Sequence, residues 1–119
     1  MVVHIVEDDL AVADALATIL GDLEHQPRIY PDGESFLAQA DVSEADWLIV
    51  DLGLPGVSGA DIVLEMKRFF SRLKIVAISG KSHTSIKRQT TGLPHLRVLR
   101  KPLSIETLTK AMEHCARDA

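Results

Sequence analysis

The chain has little of what many functional classes require. Cys115 is its one cysteine, so neither an intrachain disulfide nor a thiolate metal cluster can form. A lone cysteine is in keeping with a reducing compartment. Thirteen basic residues stand against 17 acidic ones, a formal net charge of −4. That balance lacks the basic footprint of a nucleic-acid binder. No apolar run approaches the ~18 residues that a membrane span needs. The opening Met1-Val2-Val3-His4-Ile5-Val6 has no basic leader and runs into three acids. It is expected to be the first strand, at the native terminus, and not a signal peptide. The five histidines show no ligand spacing, and none reads as a phosphorylated histidine. Aromatic residues make up 4% of the chain, and Trp47, Phe36, Phe69 and Phe70 read as packing residues, not as a cofactor box.

What remains is enough for one domain. A chain of 119 residues has room for a single core, burying roughly two thirds of its unfolded surface without staples. The expected organisation is one domain over 1–119, with no repeat, low-complexity segment or linker. Short β-branched runs alternate with stretches of helical spacing. The runs are 2–6, 28–30, 47–50, 74–78 and 96–99. Two of them, Trp47-Leu48-Ile49-Val50 and Ile75-Val76-Ala77-Ile78, are apolar throughout, which suits strands covered on both faces.

Helices are predicted between the runs. Val12, Leu16, Ile19 and Leu20, with Leu23 one turn on, mark a helix over 11–20. Asp32 opens a short second helix. Ser58 caps a third that runs through Ile62, Val63, Met66, Phe69 and Phe70. Residues 84–91 form a weak, polar fourth. Ser104 caps a fifth that carries Leu108, Met112 and Cys115 on one side. Strict alternation of five strands and five helices predicts a doubly wound α/β domain with a parallel sheet.

In such a sheet the chemistry lies where strands end and helices begin. Glu7, Asp8 and Asp9 follow strand one, Asp51 follows strand three, Ser79 and Gly80 strand four, Lys101 and Pro102 strand five. Clustered carboxylates repel one another unless a cation joins them, and hard oxygen ligands favour Mg²⁺ over zinc. A lysine and a hydroxyl nearby could hold phosphoryl oxygens, and an ionised Asp51 could be a nucleophile that forms an aspartyl-phosphate. Asp9 reads as a helix-start residue. Ser79 reads either as a phosphate ligand or as a helix cap. His4 reads as a structural residue. Pro55, Gly56 and Gly59 read as turn and helix-start residues.

These residues carry a resemblance. Val6-Glu7-Asp8-Asp9, the run from Asp51 to Gly59, Ile78-Ser79-Gly80 and Lys101-Pro102, in that order and spacing, resemble the receiver domain of two-component response regulators across essentially all of 1–119. The resemblance implies a flavodoxin-like sheet of order 2-1-3-4-5. It implies Asp51 as phosphoacceptor, with Mg²⁺ held by Asp8, Asp51 and the Gly53 carbonyl, and with Glu7 acting through water. Ser79 would be the switch hydroxyl and Lys101 the phosphate-pairing lysine, followed by a cis peptide to Pro102. Gly53 and Lys81 fall where receivers tune phosphate loss.

The resemblance further implies a cytoplasmic signalling switch. A histidine kinase or phosphotransfer protein would be its donor. It would assist only its own phosphorylation and dephosphorylation and would not be an enzyme on an outside substrate. An output domain or a second copy would dock on helix four, strand five and helix five, where Arg97 and Lys110 could contribute charge. No nucleic acid or membrane would be bound by this domain itself.

Two stretches depart from the family pattern. Val98 stands where receivers often carry a switching Tyr or Phe, and Thr91-Gly92-Leu93-Pro94-His95 replaces a common Gly-Ala pair. They keep open a pseudo-receiver working as a phosphorylation-independent interaction module. A flavin module is opposed by the acids after strand one. A hydrolase of the aspartyl-phosphate type is opposed by Leu52-Gly53, which supplies no second acid, and by the lack of room for a cap domain.

Overall fold

The computed structural model describes the backbone of residues 1–93 and 95–118, and the side chains of these except His83 and residues 114–118. Pro94 and the Cys115 side chain, both used in the sequence reading, lie outside this set. Ten elements alternate: β1 Val2–Val6, α1 Leu10–Asp22, β2 Gln26–Tyr30, α2 Gly33–Gln39, β3 Trp47–Asp51, α3 Gly59–Phe69, β4 Lys74–Ser79, α4 His83–Gln89, β5 Arg97–Arg100 and α5 Ile105–Asp118. The strands form one parallel sheet of order β2-β1-β3-β4-β5, the doubly wound architecture expected.

Alternation of side chains across the pleat explains the two apolar runs. Leu48, Val50, Ile75 and Ala77 pack on one face with Phe36, Ile62, Val63 and Met66 from α2 and α3. Trp47, Ile49, Val76 and Ile78 pack on the other with Leu16 and Leu20 from α1 and Leu108 and Met112 from α5. Both faces are dry, so neither strand has a polar side to show.

Side-chain caps set the helix starts. The Asp9 carboxylate accepts from the Ala11 and Val12 N–H groups, Asp32 from Ser35, Ser58 from Asp61, and Ser82 from Ser85. The Asp32 bond also holds that carboxyl below its usual range. The capping residue of α4 is therefore Ser82, and Ser79 is left free of that role.

Several expectations are corrected. β2 begins at Gln26, two residues earlier than predicted, since Val2 pairs with Gln26 and an edge strand tolerates the missing N–H of Pro27. β5 runs 97–100, one residue later than predicted, in register with Val76–Ser79. α4 ends at Gln89, not at 91. Phe69 is 59% exposed beneath the Arg68 guanidinium, while Phe70, the residue just past the helix, packs partly buried against the core instead. Leu23 is exposed, beyond the last buried turn of α1.

Candidate functional site

The parallel sheet brings the ends of β1, β3, β4 and β5 to one edge. Glu7, Asp51 and Ser79 are buried there, whereas Asp8 is exposed. Position, not local composition, makes Glu7 and Asp51 interior groups: Glu7 directly follows β1 and Asp51 is the last residue of β3, one residue later than the sequence suggested, and both strands are nearly all buried.

Lys101 ties the acids together. Its Nζ donates to Glu7 Oε1 at 2.5 Å and to Asp51 Oδ2 at 3.3 Å. The backbone reinforces this, since the Lys101 N–H donates to the Ser79 carbonyl at 2.9 Å. The Lys101–Pro102 peptide is cis, as the resemblance implied. On the far side of the carboxylate, Asp51 Oδ1 accepts from the Gly53 N–H at 2.9 Å. Glu7 Oε2 accepts from the Asp8 N–H at 3.1 Å. Ser79 Oγ accepts from the Lys81 N–H at 3.0 Å, leaving its own hydrogen available to donate.

The electrostatics separate the two buried acids. Burial pushes the Glu7 carboxyl up to about 7, Asp51 beside it adds to the rise, and Lys101 only partly offsets it. Burial would raise Asp51 as well, but hydrogen bonds from Glu7, the Gly53 N–H and Lys101 outweigh it and hold Asp51 below the ordinary carboxylate range. Burial works against the charge on Lys101, yet Glu7 and Asp51 together raise its pKa. Asp51 is thus the ionised member and Glu7 the proton holder. An ionised carboxylate fixed on both oxygens can act as an oriented nucleophile.

One carboxylate oxygen from each of Glu7, Asp8 and Asp51 can be grouped within 4.8 Å of the others. Three carboxyls at that spacing suit a hard divalent cation. Gly53 is exposed, and a Cβ there would stand 3.5 Å from Asp51 Oδ1, so a side chain would fit; glycine leaves that approach open. Lys81 is exposed too. Gly59 has the opposite reason to be glycine: a Cβ would collide with the Asp51 carbonyl oxygen, so only glycine lets α3 start against the end of β3. Gly56 turns the loop at φ +72°, and Glu34 of α2 grips the next N–H, that of Val57, at 2.7 Å.

The structure therefore brings together Glu7, Asp8, Asp51, Ser79 and Lys101, with Gly53 beside them. Sequence reasoning missed three contacts. One is the pairing of Lys101 with Glu7, 94 residues apart, which has no local signal. Another is the buried group His4–Asp46–Tyr30, in which His4 Nε2 meets Asp46 Oδ2 at 2.9 Å and His4 Nδ1 meets the Tyr30 hydroxyl at 3.2 Å. An acid directly before the apolar β3 run was the available hint. The third is Gln89, whose Nε2 donates to the Leu52 carbonyl at 3.0 Å.

Known proteins resemble this chain in sequence and in fold. The family model described as the response regulator receiver domain matches residues 3–113. The tetrathionate response regulatory protein TtrR of Salmonella typhimurium is 27% identical over 93% of this chain and 54% of its own length. The sensory transduction protein RegX3 of Mycolicibacterium smegmatis is 40% identical over 66% of this chain and 34% of its own. The chain thus spans about half or less of the length of these relatives. Among solved structures, chemotaxis protein CheY4 of Vibrio cholerae superposes with a TM-score of 0.83 at 22% identity, covering 96% of this chain and 97% of that one.

Proposed function

The chain belongs to the response regulator receiver domain family of two-component systems, and on that premise we propose that it is a phosphorylation-driven switch with Asp51 as phosphoacceptor. The observation that carries the reading is the state of Asp51. It is buried, depressed in pKa, and held by the Gly53 N–H on one oxygen and Lys101 on the other, at the open edge of the sheet. An Asp51 oxygen attacks the phosphorus of a phosphohistidine, the P–N bond breaks, and the imidazole leaves with its electron pair as the acyl phosphate forms. The donor is a histidine kinase or phosphotransfer protein.

Glu7, Asp8, Asp51 and the Gly53 carbonyl would hold Mg²⁺, and the crowded, proton-retaining state of Glu7 fits a site that a divalent cation completes. Bound there, the ion would neutralise charge on the transferring phosphoryl oxygens. Lys101 exchanges one carboxylate partner for a phosphoryl oxygen. Ser79, buried and with its hydrogen free, turns its hydroxyl toward the same group. These groups act on the chain's own aspartate, so the chain assists its own phosphorylation and dephosphorylation and turns over no outside substrate. With glycine at 53, water reaches the phosphoaspartate unshielded.

Output is carried to a partner, an output domain or a second copy, on the face of α4, β5 and α5. There Arg97 and Lys110 line a hollow of about 340 Å³ with Leu99, Thr107 and Ala111. No described helix is long and apolar enough to cross a membrane. Incubation with acetyl phosphate and Mg²⁺ should add one phosphoryl group by intact-mass spectrometry, and Asp51→Asn should abolish it. Equal labelling of the Asn variant would remove Asp51 from the role. A wild-type chain that takes no label while still binding a partner would favour the phosphorylation-independent module.

A further inference from the structure

We infer that Gln89 is a positioning residue for Asp51, acting through the Leu52–Gly53 peptide unit; the inference rests on Asp51 being the phosphoacceptor. Gln89 is the last residue of α4, and its Nε2 donates to the Leu52 carbonyl oxygen at 3.0 Å. That carbonyl and the Gly53 N–H belong to one planar, trans peptide unit, so they point in opposite directions. The N–H end donates to Asp51 Oδ1 at 2.9 Å. A donor that holds the carbonyl end therefore fixes the aim of the N–H end. It also polarises the peptide and strengthens the bond to the carboxylate. The Leu52 N–H is held separately, by the Ile78 carbonyl at 2.9 Å. The segment after Asp51 is thus gripped by β4 through one group and by α4 through another.

The rest of Gln89 argues that stability is not its purpose. The amide must present its nitrogen to the Leu52 oxygen, because the reverse orientation sets two acceptors against each other. This leaves Gln89 Oε1 buried with no hydrogen-bond partner among the described residues. An unpaired buried acceptor is destabilising, so the bond to Leu52 contributes less to folding here than a fully paired amide would. Elsewhere on α4, Thr84, Lys87 and Arg88 are exposed and Ser85 and Ile86 are half-buried. Gln89 therefore supplies a hydrogen-bonded path between α4 and the phosphoacceptor loop, one that needs no ring at Val98. Movement of α4 would change the aim of the Gly53 N–H, and a phosphoryl group on Asp51 would act back on α4 through the same bond.

The test uses Gln89→Met, which removes the donor and the unpaired acceptor at similar volume, with Gln89→Glu as a second variant that keeps the shape but cannot donate when ionised. Stability in urea should change little for Gln89→Met, which removes the unpaired Gln89 Oε1 but leaves the Leu52 carbonyl without its donor. The Gly53 amide and Asp51 carboxyl resonances should move in both variants. Phosphoryl uptake from acetyl phosphate with Mg²⁺ should slow by about threefold to tenfold, the worth of one hydrogen bond. Uptake at the wild-type rate by a variant that folds would overturn the inference, whatever the resonances do. Unmoved Gly53 and Asp51 resonances would also overturn it. A wild-type chain that takes no phosphoryl group overturns the phosphoacceptor reading instead, and the two resonances then still decide whether Gln89 positions Asp51.

Discussion

β3 with α3 and β5 with α4 are built from the same motif to different standards. Every residue of β3 is buried, and Gly59, Ile62, Val63 and Met66 of α3 close over it. Three residues of β5 are only partly buried and the fourth is exposed, and α4 is a seven-residue helix with no buried residue among its described side chains. Asp51 stands on the first pair, and the proposed output face includes the second. The proposed phosphoacceptor sits on the more deeply buried half, which suits chemistry that needs a carboxylate held in a fixed aim. A surface that must change shape is drawn from the half with less apolar contact to lose. Among the described residues, Lys101 and Gln89 each carry a side-chain hydrogen bond between the two halves.

The largest expected effect sharpens that contrast directly. Leu48→Ala opens a cavity between β3 and its covering helices and should cost about 2–5 kcal/mol. Val98→Ala in half-buried β5 should cost about 1 kcal/mol and leave phosphorylation-linked changes in residues 80–100 nearly intact. Urea denaturation of both variants measures the stability difference. Equal losses would break the comparison, because β5 would then be as tightly packed as β3.

Next comes pH. Glu7 keeps its proton to about 7 in the folded chain, against an ordinary value of 4.5. Between those values the unfolded chain releases a proton that the folded chain retains, so stability falls as pH rises from about 4.5 to 7 and then levels. The expected loss is on the order of 2–3 kcal/mol without divalent cations. Glu7→Gln should flatten this limb. Asp51 works in the other sense: its folded pKa is depressed from 3.8, so its contribution is present above that pH and lost on further acidification. Denaturation in EDTA across pH 3–8 checks both limbs, and a stability that rises from pH 5 to 7 would contradict the assignment of the proton to Glu7.

Magnesium should produce a smaller shift than Leu48→Ala or the change of pH. A cation that binds only the folded state stabilises it by about 1.4 kcal/mol at ten times its Kd. Asp8 is the exposed member of the acid cluster, so Asp8→Ala should leave the fold intact and remove most of that response. Thermal melts with and without Mg²⁺ read it out. An undiminished response in Asp8→Ala would move the metal away from this edge.

Much of this was legible in one dimension. Alternation of β-branched runs with 3.6-period stretches carries the element order, because burial on both faces of a sheet demands runs such as 47–50 and 75–78 with no polar side. The candidate site residues were legible for a related reason: a charge at the end of a buried strand has no cause in packing, and Glu7 and Asp51 each stand there, while Lys101 follows the partly buried β5. The weak signals were at the periphery. The start of β2 is faint in the sequence because Gln26 and Pro27 carry no β-branched or aromatic signal, and Pro27 is accommodated because β2 is an edge strand. Phe69 was placed inside because periodicity does not tell which of two adjacent rings the end of α3 turns inward.

The sequence by itself determined the parallel α/β class, the caps at Asp9, Asp32 and Ser58, and the set of groups delivered to the strand ends, because period, cap chemistry and residue type are local properties. Only the tertiary structure decided which of those groups touch. Lys101 meets Glu7 as well as Asp51, Ser82 and not Ser79 caps α4, and Gln89 reaches the peptide that holds Asp51. Such partnerships depend on strand order and register, which join residues up to 94 positions apart. The proton of Glu7 follows from the same cause: its pKa is set by burial and by the neighbours that the fold places around it, neither of which is written in the residue itself.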